Sequence, residues 1–247
     1  MSEDYLDISY PPATGAWVLP LITRINSSSS EILRKRMANW DERPPGGESS
    51  LGDLALSLSS KREMLPFVGR RLDNRLLALR EHLDEPQMVE CWRDKCAYRI
   101  REDQVVWELL LDLDCFFFEA RSAFDVLDRF LMRFCRLMLE RKVKKGDILR
   151  ALAGRGGDLR WLEELTNSRD LFIHGAAPWI AFRVVEHDPF RYQLVVLKYV
   201  AQDLSDVRSW ISMDQCRAIA VGLDDAFEEL YRWAKEQITL FERSEAE

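Results

Sequence analysis

One apolar stripe constrains this chain more than any other feature. Val106, Leu110, Leu113, Phe117, Ala120, Phe124, Leu127, Leu131, Phe134 and Met138 follow one another at alternating spacings of four and three. A second stripe, Leu109, Phe116, Ala123, Phe130 and Leu137, repeats every seven residues. Together they predict one helix with a wide apolar face. At 1.5 Å per residue it is about 50 Å long. Basic residues and a glycine at Lys145-Gly146 predict its end there. A helix so apolar on one side needs two or more neighbours, which points to a helical bundle.

The neighbours can be read from the same periodicity. Residues 72–83 place Leu72, Leu76, Leu79 and Leu83 on one face and end before Pro86. Residues 147–152 are a short candidate. Residues 158–172 turn Leu159, Leu162, Leu165 and Phe172 inward, and residues 214–241 repeat Leu223, Phe227, Leu230, Trp233, Ile238 and Phe241 at three to five residues. Over 88–98, Trp92, Cys91 and Cys96 suggest burial without defining an element. Residues 179–185 and 192–200 are β-branched and aromatic, with His187-Asp188-Pro189 between them. They predict a β-hairpin at about 179–200, inserted between bundle helices. The first 65 residues differ. Pro11-Pro12, Ser27 to Ser30, Pro44-Pro45-Gly46-Gly47 and Ser49-Ser50 are turn and loop signals. They predict an irregular N-terminal arm, with an extended piece at 16–22 and a helix at 31–40, packed on the core or on a partner chain. The expected organisation is thus mainly α: an arm over 1–65 and a helical bundle over 66–247.

Charge and cysteine usage narrow the function classes. The net charge of −7 argues against a broad nucleic-acid surface. Residues 129–160 run the other way, with ten basic residues against Glu140, Asp147 and Asp158, a local net of +7. Such a run is either a solvated helix end or a patch that steers phosphate. The most apolar run, 109–118, is interrupted by Asp112 and Asp114, so no membrane span is expected. The acidic opening MSEDYLDISY has no secretory pattern. Cys91, Cys96, Cys115, Cys135 and Cys216 are odd in number and suit neither a disulfide framework nor a zinc site. They are read as reduced thiols of a cytoplasmic protein. No metal or cofactor is expected: there is no phosphate-cradling glycine loop, no dinucleotide fingerprint, and no serine at a Gly-x-Ser-x-Gly elbow.

The segment Arg169-Asp170-Leu171-Phe172-Ile173-His174 carries the sharpest chemistry. An imidazole moves a proton near neutral pH. A guanidinium keeps its charge and forks onto phosphate oxygens. The segment resembles the Arg-x4–6-His motif of the HEPN superfamily, including the polar residue directly after the arginine. Residues 119–130, EARSAFDVLDRF, are similar to helices that precede the motif in HEPN-like proteins. The resemblance covers about 66–247, mostly as architecture. It implies a HEPN-type bundle that dimerises and a metal-independent endoribonuclease, by analogy a toxin or defence factor with an antitoxin or regulatory partner. It also implies roles: His174 as general base or acid, Arg169 on the scissile phosphate, and Asp170 orienting one of them. Products would be a 2′,3′-cyclic phosphate and a 5′-hydroxyl.

The same residues have a plainer use. Arg169 and Asp170 can pair with neighbouring helices, and His174 can cap a helix C-terminus; the chain would then be a non-catalytic HEPN-like interaction or scaffold module. Five residues of helix turn through about 500°, which leaves positions 169 and 174 roughly 140° apart. They converge only if the helix ends between them or if a second chain supplies the other half. Arg75 and His82 also match the loose pattern, but Leu76 replaces the polar residue and His82 lies at an expected helix end. Arg121, Ser122 and Asp125 lie within about one turn on the long helix. They form either an auxiliary polar island for the motif or an ordinary exposed ion pair.

Overall fold

The apolar stripe lies along a single helix in the computed structural model, which describes residues 18–44, 46–81, 89–92, 97–100, 104–156, 158–174, 178–187, 190–197, 204 and 206–247. In order along the chain, the helices are α1 (Val18–Asn26), α2 (Glu31–Arg36), α3 (Leu51–Glu81), α4 (Gln104–Met138), α5 (Lys145–Gly154), α6 (Arg160–His174) and α7 (Met213–Ala246). The strands are β1 (Val89–Trp92), β2 (Ala97–Ile100), β3 (Trp179–His187), β4 (Phe190–Leu197) and β5 (Trp210–Ser212). The chain is mainly helical, with one small antiparallel sheet. Every residue of the first α4 stripe is buried, and of the second only Leu137 is not. Among the described residues no helix is long and apolar enough to cross a membrane.

Contacts divide the chain into two units, with α3, α4 and α7 contributing residues to both. One unit takes 18–66, 119–159 and 222–247 of the described residues. Its core includes Phe130, which meets Trp40 edge-on at 6.1 Å and stacks on Phe134 at 6.2 Å. Ion pairs tie its helices: Arg24 to Glu242 at 2.5 Å, Lys61 to Glu119 at 2.5 Å and Arg62 to Asp224 at 3.2 Å. Arg36 of α2 donates to the Met138 carbonyl at 2.7 Å, satisfying an acceptor that the end of α4 leaves open.

Three sequence expectations fail in this unit. Residues 18–65 are not an irregular arm but α1, α2 and the first half of α3. Residues 18–22 are helical rather than extended, because Val18, Leu21 and Ile25 recur at helical spacing and are buried. Pro20 is tolerated because it sits in the first turn, where its missing N–H has no intrahelical acceptor. Ser50 starts α3: its hydroxyl accepts from the Asp53 N–H at 2.9 Å, and the Asp53 carboxylate accepts from the Ser50 N–H at 3.1 Å. Finally, α4 stops at Met138, not at Lys145-Gly146. Glu140 takes a left-handed φ of 51°, and the Arg141 N–H folds back to the Cys135 carbonyl at 3.0 Å. Lys145 instead opens α5, where the Asp147 carboxylate accepts from the Lys144 N–H at 2.8 Å.

The other unit takes 67–118 and 160–221. Its sheet runs β1-β2-β3-β4-β5, every neighbouring pair antiparallel. The expected hairpin is β3–β4, paired from Trp179↔Leu197 to His187↔Phe190. It is not an isolated insertion. β2 pairs with β3 through Tyr98↔Phe182, and β5 pairs with β4 through Val196↔Ile211. A lone hairpin buries too little to be stable, and these added strands supply burial. Ala181, Val195, Leu197 and Trp210 form one buried cluster, while Ile180, Phe182, Val196 and Ile211, at the alternate positions, are buried as well. The Trp210 indole donates to the Leu204 carbonyl at 2.9 Å. Ser212 and Gln215 form a reciprocal cap at the start of α7, at 2.7 and 3.2 Å.

Candidate functional site

Helix α6 positions the Arg-His segment. Its inner face is Trp161, Leu165 and Ser168, all buried, continued by Phe172, whose ring lies 5.5 Å from that of Phe117. Arg169 follows on the flank of that face and is 37% exposed. Asp170 is half exposed on the outer side, and its carboxylate lies 3.8 Å from the Arg169 guanidinium. The two are beside one another as expected, in a loose pair open to water that contributes little stability.

The helix does not end between Arg169 and His174; it runs unbroken through His174. The backbone therefore holds positions 169 and 174 about 140° apart around one axis. Positions 170 and 174 are one turn apart, about 40° around the axis. The His174 side chain, Gly175, His82 and the His187 side chain lie outside the described residues. Within one chain, then, Arg169 and Asp170 adjoin, whereas the helix break that would swing position 174 toward Arg169 is absent.

Arg75 has a structural role. It pairs with Glu108 at 2.5 Å and lies 3.8 Å from Asp112, whose carboxylate also binds Arg71. Asp112 is 1% exposed, so the acid that interrupts the apolar run is a buried charge held by two arginines.

Arg121, Ser122 and Asp125 belong to the unit without the Arg-His segment. Arg121 and Asp125 form an i,i+4 ion pair at 3.2 Å. Lys145 adds 3.2 Å to Asp125 and 3.7 Å to Asp128, and Arg129 donates to the Asp125 carbonyl at 3.2 Å. Ser122 is half-buried beside them. Burial pushes the Asp128 carboxyl above the ordinary carboxylate value, against the pull of Lys145. This is an internal ion-pair cluster fixing the start of α5 to α4.

The basic run does more than coat a helix end. Arg129, Arg133 and Arg136 lie at i, i+4 and i+7, on one face of α4. With Arg141 and Lys142 they line a cavity of about 960 Å³, closed on another side by Gly47, Glu48 and Ser49. Glu48 and Glu140 are the carboxylates in its wall. The charge of this site was visible in the sequence, and so was the i, i+4, i+7 spacing; the concavity was not, because the loop arrives from 80 residues away.

Among the described residues, no three His, Cys, Asp or Glu side chains gather in a way that could hold a metal ion. Cys135 and Cys216 are buried thiols pushed up to about 12 by loss of solvent. Compared with protein-family models, curated proteins and solved structures, the chain has no match.

Proposed function

We propose that this chain is a HEPN-type helical protein that cleaves RNA without a metal, as a homodimer in the cytoplasm, in the manner of a toxin or defence factor restrained by a partner. The observation that carries this reading is the exposure of Arg169 and Asp170 near the end of α6, whose last residue is His174. A guanidinium half open to solvent can fork onto a scissile phosphate. The imidazole would take the proton of the RNA 2′-hydroxyl as its oxygen attacks phosphorus. The P–O5′ bond breaks, and a protonated imidazole gives its proton to the leaving 5′-oxygen. Arg169 would offset the charge that builds on the phosphoryl oxygens.

The separation of 169 from 174 on a continuous helix makes the second copy part of the chemistry: Arg169 of one chain would work with His174 of the other. An apolar stripe supports association. Trp107, Leu111 and Phe118 share one face of α4, at i, i+4 and i+11, and are 50%, 57% and 54% exposed. The same helical separation also favours a second reading, a non-catalytic interaction module in which no Arg-His pair is ever assembled.

The test is incubation of mixed RNA with purified protein in EDTA, beside His174→Ala and Arg169→Ala, with the mass of each protein measured in solution. Cyclic-phosphate ends from wild-type dimer and none from either variant are expected. Inert wild-type dimer, or variants as active as wild type, would replace the nuclease reading with the interaction module.

A further inference from the structure

We propose that the arginine-lined cavity at the C-terminal end of α4 is a binding site for a compact polyphosphate of the nucleoside-triphosphate class, held by its phosphates. The cavity belongs wholly to one unit, and the proposal does not depend on the Arg-His segment.

The cavity's cations outnumber its carboxylates, five to two. Glu140 is already engaged by Arg36 at 2.5 Å, and Glu48 approaches Arg133 only to 4.0 Å. Arg133 is the central observation. Its side chain is 11% exposed, and its Nε–H has no hydrogen-bond partner. A nearly buried guanidinium with an unanswered donor is costly, and an anion in the cavity would answer it. Its neighbours keep donors to offer. Arg129 uses its Nε–H on the Asp125 carbonyl, and Arg141 gives one terminal N–H to Gln237. A guanidinium has five N–H groups, so both retain several. The row from Arg129 to Arg136 extends about 10.5 Å along the helix axis, room for two or three linked phosphates side by side.

Shape and lining favour a small ligand over a nucleic-acid strand. A cavity of about 960 Å³ is of the size that holds small molecules, about 300–1,000 Å³. The loop that closes it turns through Gly46 and Gly47, at φ 99° and 79°, which side chains other than glycine rarely adopt. No aromatic side chain lines it, whereas single-strand sites stack successive bases on aromatic rings. The net charge of −7 works against a long polyanion but not against a few phosphates at a local basic wall. Without a stacking platform the base contributes little, so inorganic triphosphate and nucleoside triphosphates should bind alike.

The experiment is calorimetric titration of the full chain with inorganic triphosphate, ATP, inorganic phosphate and a twelve-nucleotide single-stranded RNA. It is run on wild type, Arg133→Gln, Arg136→Ala and His174→Ala. Expected are one triphosphate per chain, similar affinity for ATP, much weaker phosphate binding, and an affinity loss of about tenfold or more in each arginine variant. Arg136 is exposed, so its variant keeps the test decisive should Arg133→Gln unfold. His174→Ala should bind as wild type, which separates this site from the nuclease reading. No triphosphate binding at millimolar concentration, affinity unchanged in Arg136→Ala, or tighter binding of the RNA than of triphosphate would each overturn the proposal.

Discussion

The buried carboxylate of Asp112 gives the sharpest energetic prediction. Its side chain is 1% exposed, while its partners Arg71 and Arg75 are 46% and 37% exposed. Arg71 hydrogen-bonds Oδ1, whereas Oδ2 has only the charge of Arg75 at 3.8 Å and no hydrogen bond. The two sides of the cluster are therefore unequal. If Asp112 becomes leucine, both arginines turn to water, and Arg75 keeps Glu108 at 2.5 Å. That change should cost no more than about 1–2 kcal/mol, since what is lost is a partly solvated pair. If instead Arg71 and Arg75 both become methionine, the carboxylate stays in the core with no countercharge. Stranding a buried charge costs about 3–5 kcal/mol.

The two variants should therefore differ by about 2 kcal/mol, although each breaks the same interaction. The triple variant, Arg71→Met, Arg75→Met and Asp112→Leu, should recover most of the double variant's loss, because no charge remains to be stranded. Urea denaturation followed by circular dichroism reads the order of midpoints: wild type, Asp112→Leu, triple, then the double arginine variant. A double arginine variant as stable as Asp112→Leu, or a triple variant no better than the double, would refute the argument that burial of the acid dominates.

Other consequences follow from the same kind of reasoning. Asp128 has its proton affinity raised by burial, so it favours the native state at low pH and subtracts from stability as pH rises above about 4. Asp128→Asn should raise Tm at pH 7, with the gain fading towards pH 4, and Lys145 keeps Asp125 as a partner; a lower Tm at pH 7 would contradict this. Titration of native thiols should fall by one equivalent in Cys115→Ser, which removes a half-buried thiol, and stay unchanged in Cys135→Ser and Cys216→Ser. Leu111→Glu should leave the monomer fold intact, because the side chain is 57% exposed, yet reduce self-association and RNA cleavage together. A dimeric, active Leu111→Glu would remove this face from the proposed interface.

How far the fold was legible depends on how local its causes are. Helix α4 was legible because 33 residues repeat one spacing without a break, and every member of the first stripe is buried. Helices α6 and α7 were legible for the same reason. Strands β1 and β2 were not: each has four residues, and β2 finds its partner at Phe182, far along the chain from Tyr98. Nothing in four residues announces such a pairing. Helix α1 was hidden by Pro20, a stop signal in most places and harmless in a first turn. The end of α4 was misplaced because Glu140, rather than a glycine, supplies the left-handed residue.

The candidate site divides along the same line. Spacing alone implies that Arg169 and position 174 diverge on a helix, and the unbroken α6 removes the intrachain escape from that divergence. A nuclease built on these residues must therefore take its base and its phosphate clamp from different copies. Cleavage should then depend on protein concentration through the dimer constant, and a mixture of Arg169→Ala with His174→Ala should regain activity. In the mixed dimer one cleft keeps both wild-type residues and the other loses both. Half of the dimers in an equal mixture are of this kind, and each retains one of its two clefts, so about a quarter of wild-type activity is the expectation. An intrachain pair forbids any such rescue, since every chain in the mixture lacks one of the two groups.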